Sequence, residues 1–219
     1  MNQHHAEHKH EEWRLNANKS LLGYYLQFET TPKLVLDVGC GYGHLLAAAQ
    51  CLVEGVMIAG VDGPWVDMRH LRFDPQYFYT RNLESDKLEF SLKPDLVTCI
   101  EVAEHLDESC AVSFCGELVK YGSPVLFSAA VPGQTGQGHK NEQYASYWAE
   151  IFNKYGYQPV DFLHPSIWLD ESLPFWLRQN PMVFYPVSRI TGWRTLYLVK
   201  DFKILDRVHP ELHKQLRLT

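Results

Sequence analysis

The sequence predicts an α/β fold with a doubly wound, mostly parallel sheet of seven strands and helices on both faces. Short continuous apolar runs such as Leu34–Val38 alternate with helical segments, and such runs are typical of parallel strands buried on both faces. A glycine-rich loop joins the first of these strands to a helix. The 219 residues, 46% hydrophobic and 21% charged, are enough for a single globular domain.

The spacing of apolar residues and the positions of proline and glycine predict the order and bounds of the helices and strands. Apolar residues at helical spacing predict an opening helix over 11–28, and Pro32 ends it. Gly156 ends a later helix. After the first helix we expect strands over 34–38, 56–61, 77–80, 95–100 and 124–131, with helices over 44–53, 64–71, 109–121 and 143–155.

The chain after Val160 is less regular and rich in aromatic residues. Two further strands are expected, one near Val160–Leu163 and the other at either Met182–Val187 or Thr195–Val199. Periodicity does not choose between the last two. A terminal helix is expected within Asp206–Leu218.

Composition excludes several functional classes. Twenty Lys and Arg against 26 Asp and Glu give a net charge of −6, which argues against nucleic acid or an anionic membrane as partner. No apolar run reaches the ~18 residues of a spanning helix, and the polar N-terminus is not a secretory signal. Five cysteines without a CxxC pair indicate reduced, buried thiols and hence a cytoplasmic protein. The oligomeric state stays open.

The loop after the first strand indicates a nucleoside ligand. Gly39, Gly41 and Gly43 allow a tight turn and a close backbone approach, and Asp62, 19 residues after Gly43, ends the second strand where a carboxylate can accept ribose hydroxyls. The loop departs from the dinucleotide fingerprint, because His44 stands where that motif needs a small residue. Asp37 would be poorly placed beside a pyrophosphate and suits a cationic amino-acid group instead.

These features resemble class I S-adenosylmethionine-dependent methyltransferases of the small-molecule branch. The segment 37–43 matches the first motif of that superfamily, Val61-Asp62 the second, and 95–106 the fourth-strand motif. The resemblance covers about residues 30–160 and implies a Rossmann-like fold with S-adenosylmethionine as cofactor. It divides the single domain into an N-terminal helical segment (1–30), a cofactor-binding core (31–164) and an aromatic elaboration (165–219) that completes the sheet and covers the acceptor.

The resemblance also implies roles for individual residues. Asp37 anchors the loop near the amino group, and Asp62 holds the ribose hydroxyls. Asn82 and Leu83 contact adenine, although Asn82 also fits a plain turn residue. The remaining cofactor residues are Gly39, Gly41 and Gly43 beside the methionine and ribose, and Ile100 and Glu101 beside the sulfonium.

The acceptor side favours a small molecule with an oxygen nucleophile, such as a sugar or metabolite hydroxyl or a carboxylate. Ile100-Glu101-Val102-Ala103 stands where amino-directed nucleic-acid enzymes carry Asp/Asn-Pro-Pro-Tyr. A hydroxyl needs a base, and His139, on the glycine-rich loop 132–143, is the first choice, with His105 as the second. Asn141 is expected either beside the acceptor or as a helix cap. Polar and aromatic residues of an acceptor cover follow at Trp168, Asp170, Trp176, Arg178, Gln179 and Asn180.

A metal site is the lesser expectation. In similar families a Glu-x-x-Glu-His pattern with a later histidine sometimes holds a divalent ion, which here would involve Glu101, Glu104, His105 and His139. Oxygen and nitrogen ligands suit Mg²⁺, Mn²⁺ or Zn²⁺. Two other hypotheses remain: a metal-assisted RNA 2′-O-methyltransferase, and a module that binds the cofactor without transferring methyl.

Overall fold

The computed structural model describes residues 3–91 and 93–216, which build a seven-stranded sheet. Along the sheet the strands run in the order β3-β2-β1-β4-β5-β7-β6. All neighbouring strands are parallel except β7, which runs antiparallel to both β5 and β6. The strands are β1 (Leu34–Val38), β2 (Met57–Asp62), β3 (Phe78–Thr80), β4 (Leu96–Ile100), β5 (Val125–Ser128), β6 (Tyr157–Val160) and β7 (Met182–Pro186).

Helices cover both faces of this sheet, as the alternating pattern predicts. One apolar cluster joins the sheet to α3 and α4 through residues such as Phe114, Phe127 and Trp148. The other joins the opposite face to α1, α2 and α5 through residues such as Leu21, Leu46 and Ile167. The helices are α1 (Gln3–Leu26), α2 (His44–Leu52), α3 (Ala111–Val119), α4 (Ala145–Lys154), α5 (His164–Ile167), α6 (Phe175–Gln179) and α7 (Pro210–Leu216).

The helix expected over 64–71 is wrong. That stretch forms only a short 3₁₀ turn at Met68–His70, which begins where the Asp67 side chain accepts a hydrogen bond from the backbone N–H of Arg69 at 3.0 Å. Leu71 then returns to an extended conformation. Aspartate side chains that bond the backbone two residues on favour turns over helices, and Asp67 itself is extended, which interrupts the expected helix in its middle.

The aromatic C-terminal region resolves the choice of strands. Met182–Pro186 forms β7, whereas the alternative at 195–199 contributes only an isolated bridge between Val160 and Leu198. The strand expected near Val160–Leu163 lies earlier, at Tyr157–Val160, and the terminal helix begins only at Pro210.

Buried polar contacts fix α1 to the C-terminal region. Glu29, just after α1, accepts hydrogen bonds from Arg194 Nε at 2.9 Å, Arg194 Nη2 at 2.7 Å and the Tyr185 hydroxyl at 2.7 Å. The Tyr24 hydroxyl donates to Asp170 at 2.8 Å. These bonds hold α1 across one end of the sheet.

Among the described residues, no helix has the length and apolar character needed to cross a bilayer. All five cysteines are free; four are buried as expected, and Cys51 is exposed.

Candidate active site

A cavity of about 670 Å³ opens at the carboxyl ends of β1 and β4. Asp37, Gly39 and Gly41 line one side, together with Ile100 and Glu101 at the end of β4. The opposite wall consists of Trp13, Arg14, Ala17 and Asn18 of α1 and Trp176 and Leu177 of α6. This strand edge is where open parallel sheets bind their ligands.

The glycine loop takes the conformation that its three glycines allow. Gly39, Gly41 and Gly43 all have positive φ, at 76°, 52° and 80°. A Cβ on Gly39 would lie 2.3 Å from Val102 Cγ2, and one on Gly43 would lie 2.3 Å from the ring of Phe73. Gly39 therefore permits the close approach of β4, whereas Gly43 packs against the Phe73 ring where α2 begins.

Two buried carboxylates hold this loop. Asp62 Oδ2 accepts the backbone N–H of Gly41 at 2.7 Å, and Oδ1 accepts that of Gly63 at 2.6 Å. Asp37 Oδ1 accepts the Thr98 hydroxyl at 2.6 Å. Burial raises the pKa of Asp37 to about 7, against the lowering effect of that hydrogen bond.

The predicted adenine residues lie away from the wall of this cavity. Asn82 is exposed, and its Oδ1 accepts the backbone N–H of Glu84 at 3.0 Å, which is the geometry of a turn residue. Leu83 is buried in the core beneath the sheet. Over the described residues, the cavity wall includes neither of them, nor Gly43, Asp62, His105 or His139; Asp62 reaches the wall only through its bond to the backbone N–H of Gly41.

Glu101 marks the boundary between this cavity and the residues of the loop after β5. Its Oε1 accepts a hydrogen bond from Asn180 Nδ2, and its Oε2 accepts one from Gln134 Nε2, both at 2.9 Å. Burial raises the pKa of Glu101, while these two amide donors and the nearby His139 act to lower it. Both oxygens of its carboxylate are therefore hydrogen-bonded while Glu101 lines the cavity.

Glu104, His105 and His139 form a cluster that is not part of the cavity wall in the described structure. One ligand atom from each lies within 4.8 Å of the others. Neither carboxylate oxygen of Glu104 has a hydrogen bond of normal geometry within the described chain, although the residue is fully buried. Burial, with the neighbouring Glu101, raises the pKa of Glu104 to about 9. Burial and the adjacent His139 lower the pKa of His105.

A further carboxylate orients His139. Its Nδ1 lies 2.7 Å from Glu142 Oε1, and Glu142 Oε2 accepts the backbone N–H of Gly133 at 2.9 Å. The loop is also bonded to Glu104, whose carbonyl accepts the backbone N–H groups of Lys140 at 2.8 Å and Asn141 at 3.0 Å. His139 is thus held beside His105, with ring centroids 4.8 Å apart.

The alternative that Asn141 caps the following helix is wrong. Its Oδ1 accepts a hydrogen bond from Gln143 Nε2 at 3.0 Å. At the start of α4, the backbone N–H and hydroxyl of Ser146 instead donate to Asp206, each at 2.8 Å. A carboxylate sixty residues away in sequence supplies the cap, so local pattern could not reveal it.

Two site residues escape sequence reasoning. Arg14 lines the cavity from α1, and Gln134 bonds Glu101 from the loop after β5. The only local signal for Arg14 is its position beside Trp13 near the start of an amphipathic helix, a position shared by many solvated arginines. Both placements depend on packing between distant segments.

Comparison with known proteins agrees with this geometry. The sequence model of a family described as "Methyltransferase domain" matches residues 6–162. The ubiquinone biosynthesis O-methyltransferase of Yersinia pestis (strain Pestoides F) is 29% identical over 178 residues, which cover 76% of this chain and 69% of that protein. The protein of the same name from Yersinia pseudotuberculosis serotype O:1b (strain IP 31758) gives the same values.

Solved structures share the fold. Human N-acetylserotonin methyltransferase, in complex with S-adenosylmethionine, superposes with a TM-score of 0.53 at 16% identity, over 78% of this chain and 51% of that one. An O-methyltransferase family protein from Burkholderia thailandensis gives 0.52 at 12% identity, over 70% and 50%. The chain spans about half the length of these structures.

Proposed function

Because this chain belongs to the methyltransferase-domain family, and so is an S-adenosylmethionine-dependent methyltransferase, we propose that it methylates an oxygen atom of a small molecule. The observation that carries the proposal is the cavity between the glycine loop and α1, with Asp37 and Asp62 beside it. The O-methyltransferase name of the Yersinia relatives supports an oxygen acceptor. The acceptor class is a sugar hydroxyl, a metabolite hydroxyl or a carboxylate.

The cofactor residues divide between the two walls of the cavity. Asp37 faces the ammonium group, Gly39 and Gly41 bring the backbone close to the methionine and ribose, and Asp62 supports this loop while its free lone pairs accept ribose hydroxyls. Arg14, across the cavity, supplies the cation for the carboxylate. On the same proposal, Gly43 shapes the turn and Ile100 and Glu101 lie beside the sulfonium, whereas Asn82 and Leu83, which lie away from the cavity wall, are left out of the cofactor contacts.

Bound S-adenosylmethionine supplies a methyl group on a good leaving group, so the protein aligns the acceptor, excludes water and, where the acceptor is a hydroxyl, removes its proton. His139 is the proposed base. Its Nδ1 lies against Glu142, which fixes the ring and stabilises the imidazolium that forms when Nε2 takes the proton. His105, with its lowered pKa, is the neutral partner at the other side of the cluster.

The direct test is calorimetric titration of the protein with S-adenosylhomocysteine, with NAD in parallel. Binding of the first alone supports the proposal, while binding of NAD, or of neither, contradicts it. Incubation with methyl-labelled S-adenosylmethionine and separate sets of hydroxyl, carboxylate and amine compounds then identifies the acceptor class. Label in the amine set alone would contradict an oxygen acceptor.

A divalent metal is a second candidate feature, and one observation favours it. Glu104 is a buried carboxyl group whose two oxygens have no hydrogen bond of normal geometry in the described structure, and it lies beside two imidazoles. A cation would compensate this burial, and the Glu142–His139 pair is the outer carboxylate that metal-bound histidines commonly have. Glu104, His105 and His139 would hold Mg²⁺, Mn²⁺ or Zn²⁺, and the ion would polarise an acceptor hydroxyl. Glu101 lies outside this set, since its oxygens bond Asn180 and Gln134.

Metal binding is tested without reference to activity. Calorimetric titration of chelator-treated protein with Mn²⁺ should show one site that is lost in Glu104→Gln. Glu150→Gln, a change in an exposed carboxylate on α4, serves as the control. Identical Mn²⁺ binding by wild type and Glu104→Gln, or no binding by wild type, would remove the metal from the account and leave His139 as base.

A further inference from the structure

Glu101 has a backbone conformation that its surroundings must maintain. Its φ is +55°, a left-handed value that residues with a Cβ rarely adopt. The backbone N–H donates to both the carbonyl oxygen and the hydroxyl oxygen of Ser128, each at 3.0 Å. Such a residue at the end of a strand, with its side chain beside a ligand cavity, is a common sign of a constrained functional group.

Two amide side chains hold the carboxylate itself. Asn180 Nδ2 donates to Glu101 Oε1, and Gln134 Nε2 donates to Glu101 Oε2. The ring closes because Asn180 Nδ2 also donates to Gln134 Oε1 at 2.9 Å. We call Gln134 and Asn180 the amide clamp. It binds one edge of the carboxylate through two donors and so fixes both its position and its plane.

A second set of bonds holds the amide clamp in place. Gln179 Nε2 donates to Asn180 Oδ1 at 2.8 Å, and Gln179 Oε1 accepts the backbone N–H of His209 at 2.5 Å. His209 Nε2 lies 3.1 Å from the carbonyl oxygen of Trp168. Gln179, Asn180 and His209 are all at least 95% buried. The C-terminal region therefore reaches Glu101 through a continuous chain of buried polar groups.

Resting on the function proposed above, we propose that the amide clamp positions the Glu101 carboxylate against the sulfonium of the cofactor, so that the site binds the cationic donor in preference to the neutral product. In the reaction the acceptor oxygen forms a bond to the methyl carbon, the S–CH₃ electron pair stays on sulfur, and the proton of a hydroxyl acceptor passes to the base, whereas a carboxylate acceptor has no proton to lose. The product sulfur is neutral, so the attraction to Glu101 ends when the methyl group leaves. Gln134 and Asn180 are positioning residues, because they act through Glu101.

The ratio of two dissociation constants isolates this effect. S-adenosylmethionine and S-adenosylhomocysteine share the ammonium, carboxylate, ribose and adenine groups, and they differ by the methyl group and the charge on sulfur. A variant that merely loosens the structure weakens both ligands, whereas a displaced carboxylate weakens the cation alone. The measurement is calorimetric titration of the whole chain with each ligand in turn, with the unfolding temperature recorded for every variant.

We expect Gln134→Ala and Asn180→Ala each to reduce the preference for S-adenosylmethionine by about three- to tenfold, with the product affinity within about twofold of wild type. Gln143→Ala removes an amide from the same loop that bonds Asn141 rather than Glu101, and it should keep the wild-type preference. If Asn180→Ala fails to fold, the test uses Gln134→Ala alone, because Gln134 lies on the partly exposed loop after β5.

A double variant distinguishes positioning from a separate effect. Glu101→Gln should lose the preference, and adding Gln134→Ala to it should cause no further loss, because the clamp then has no charge to position. An unchanged preference in the clamp variants, an equal loss for both ligands, or a further loss in the double variant would overturn the proposal. Wild-type protein that binds neither ligand would instead overturn the proposed function itself.

Discussion

The two hydrogen bonds accepted by Asp62 predict how much cofactor affinity is lost when this carboxylate no longer holds the glycine loop. Asp62 is buried and accepts the backbone N–H groups of Gly41 at 2.7 Å and Gly63 at 2.6 Å. In Asp62→Asn one oxygen keeps its bond, while the new amide group faces a second N–H donor. Losing one charge-assisted bond costs about 1.5–3 kcal/mol, which corresponds to an about 10- to 150-fold weaker affinity if the loop must be ordered to bind.

Calorimetric titration with S-adenosylhomocysteine measures this loss, and thermal unfolding shows whether part of it appears as lower stability. Asp74→Asn is the matched control, because Asp74 accepts a backbone N–H from Gln76 at 3.0 Å in an exposed turn outside the cavity. We expect that variant to bind like wild type. An Asp62→Asn protein whose affinity for S-adenosylhomocysteine and unfolding temperature both match wild type would refute the role of Asp62 in holding the glycine loop.

Four further predictions concern Asp37, Arg14 and His139. Because burial raises the pKa of Asp37 from 3.8 to about 7, the native protein binds more protons than the unfolded chain between these two pH values. The unfolding free energy of ligand-free protein should therefore fall as pH rises from 4 to 7, by at most about 1.4 kcal/mol per pH unit. Asp37→Asn should flatten this dependence of the unfolding free energy on pH, measured by denaturant unfolding at several pH values. S-adenosylhomocysteine affinity should rise over pH 6–8 as Asp37 ionises, and a flat titration would contradict its contact with the ammonium group. Arg14→Ala should raise the dissociation constant of S-adenosylhomocysteine about tenfold or more, because it removes the cation that pairs with the ligand's carboxylate, and Arg14→Lys should give an intermediate value. Wild-type dissociation constants in both variants would contradict the contact between Arg14 and that carboxylate. His139→Ala should lower kcat at least about 100-fold while leaving the dissociation constant of S-adenosylhomocysteine unchanged; a large loss of binding with kcat retained would show that the loop serves the cofactor.

Local sequence was sufficient wherever one segment determines the structure. The turn from β1 into α2 needs positive φ at Gly39, Gly41 and Gly43, and the glycines themselves disclose that need. The alternation of buried strands and helices likewise predicts the sheet and its covered faces, because each element carries its own apolar pattern.

Sequence patterns failed where a single polar side chain or a distant contact decides. Asp67, itself extended, interrupts the helix expected over 64–71, and Asp206 replaces Asn141 as the cap of α4. The choice between 182–187 and 195–199 depends on which run finds space beside β5, and both runs have similar apolar content.

The same limit applies to the site. The Glu-x-x-Glu-His pattern suggests one cluster, yet the structure separates Glu101, held by Asn180, from Glu104, which lies beside two imidazoles. Asn180 belongs to the predicted acceptor cover, but its bond to Glu101 spans 79 positions of sequence. Residues that meet only through the tertiary fold carry no local signal of their meeting.

A crystal structure of the protein with S-adenosylhomocysteine tests the central claim most directly. We expect the ligand in the cavity between the glycine loop and α1, with its ammonium at Asp37, its carboxylate at Arg14, its ribose at Asp62 and its sulfur facing Glu101. A ligand bound outside this cavity, or one bound in it with the ribose and sulfur away from Asp62 and Glu101, would contradict the account.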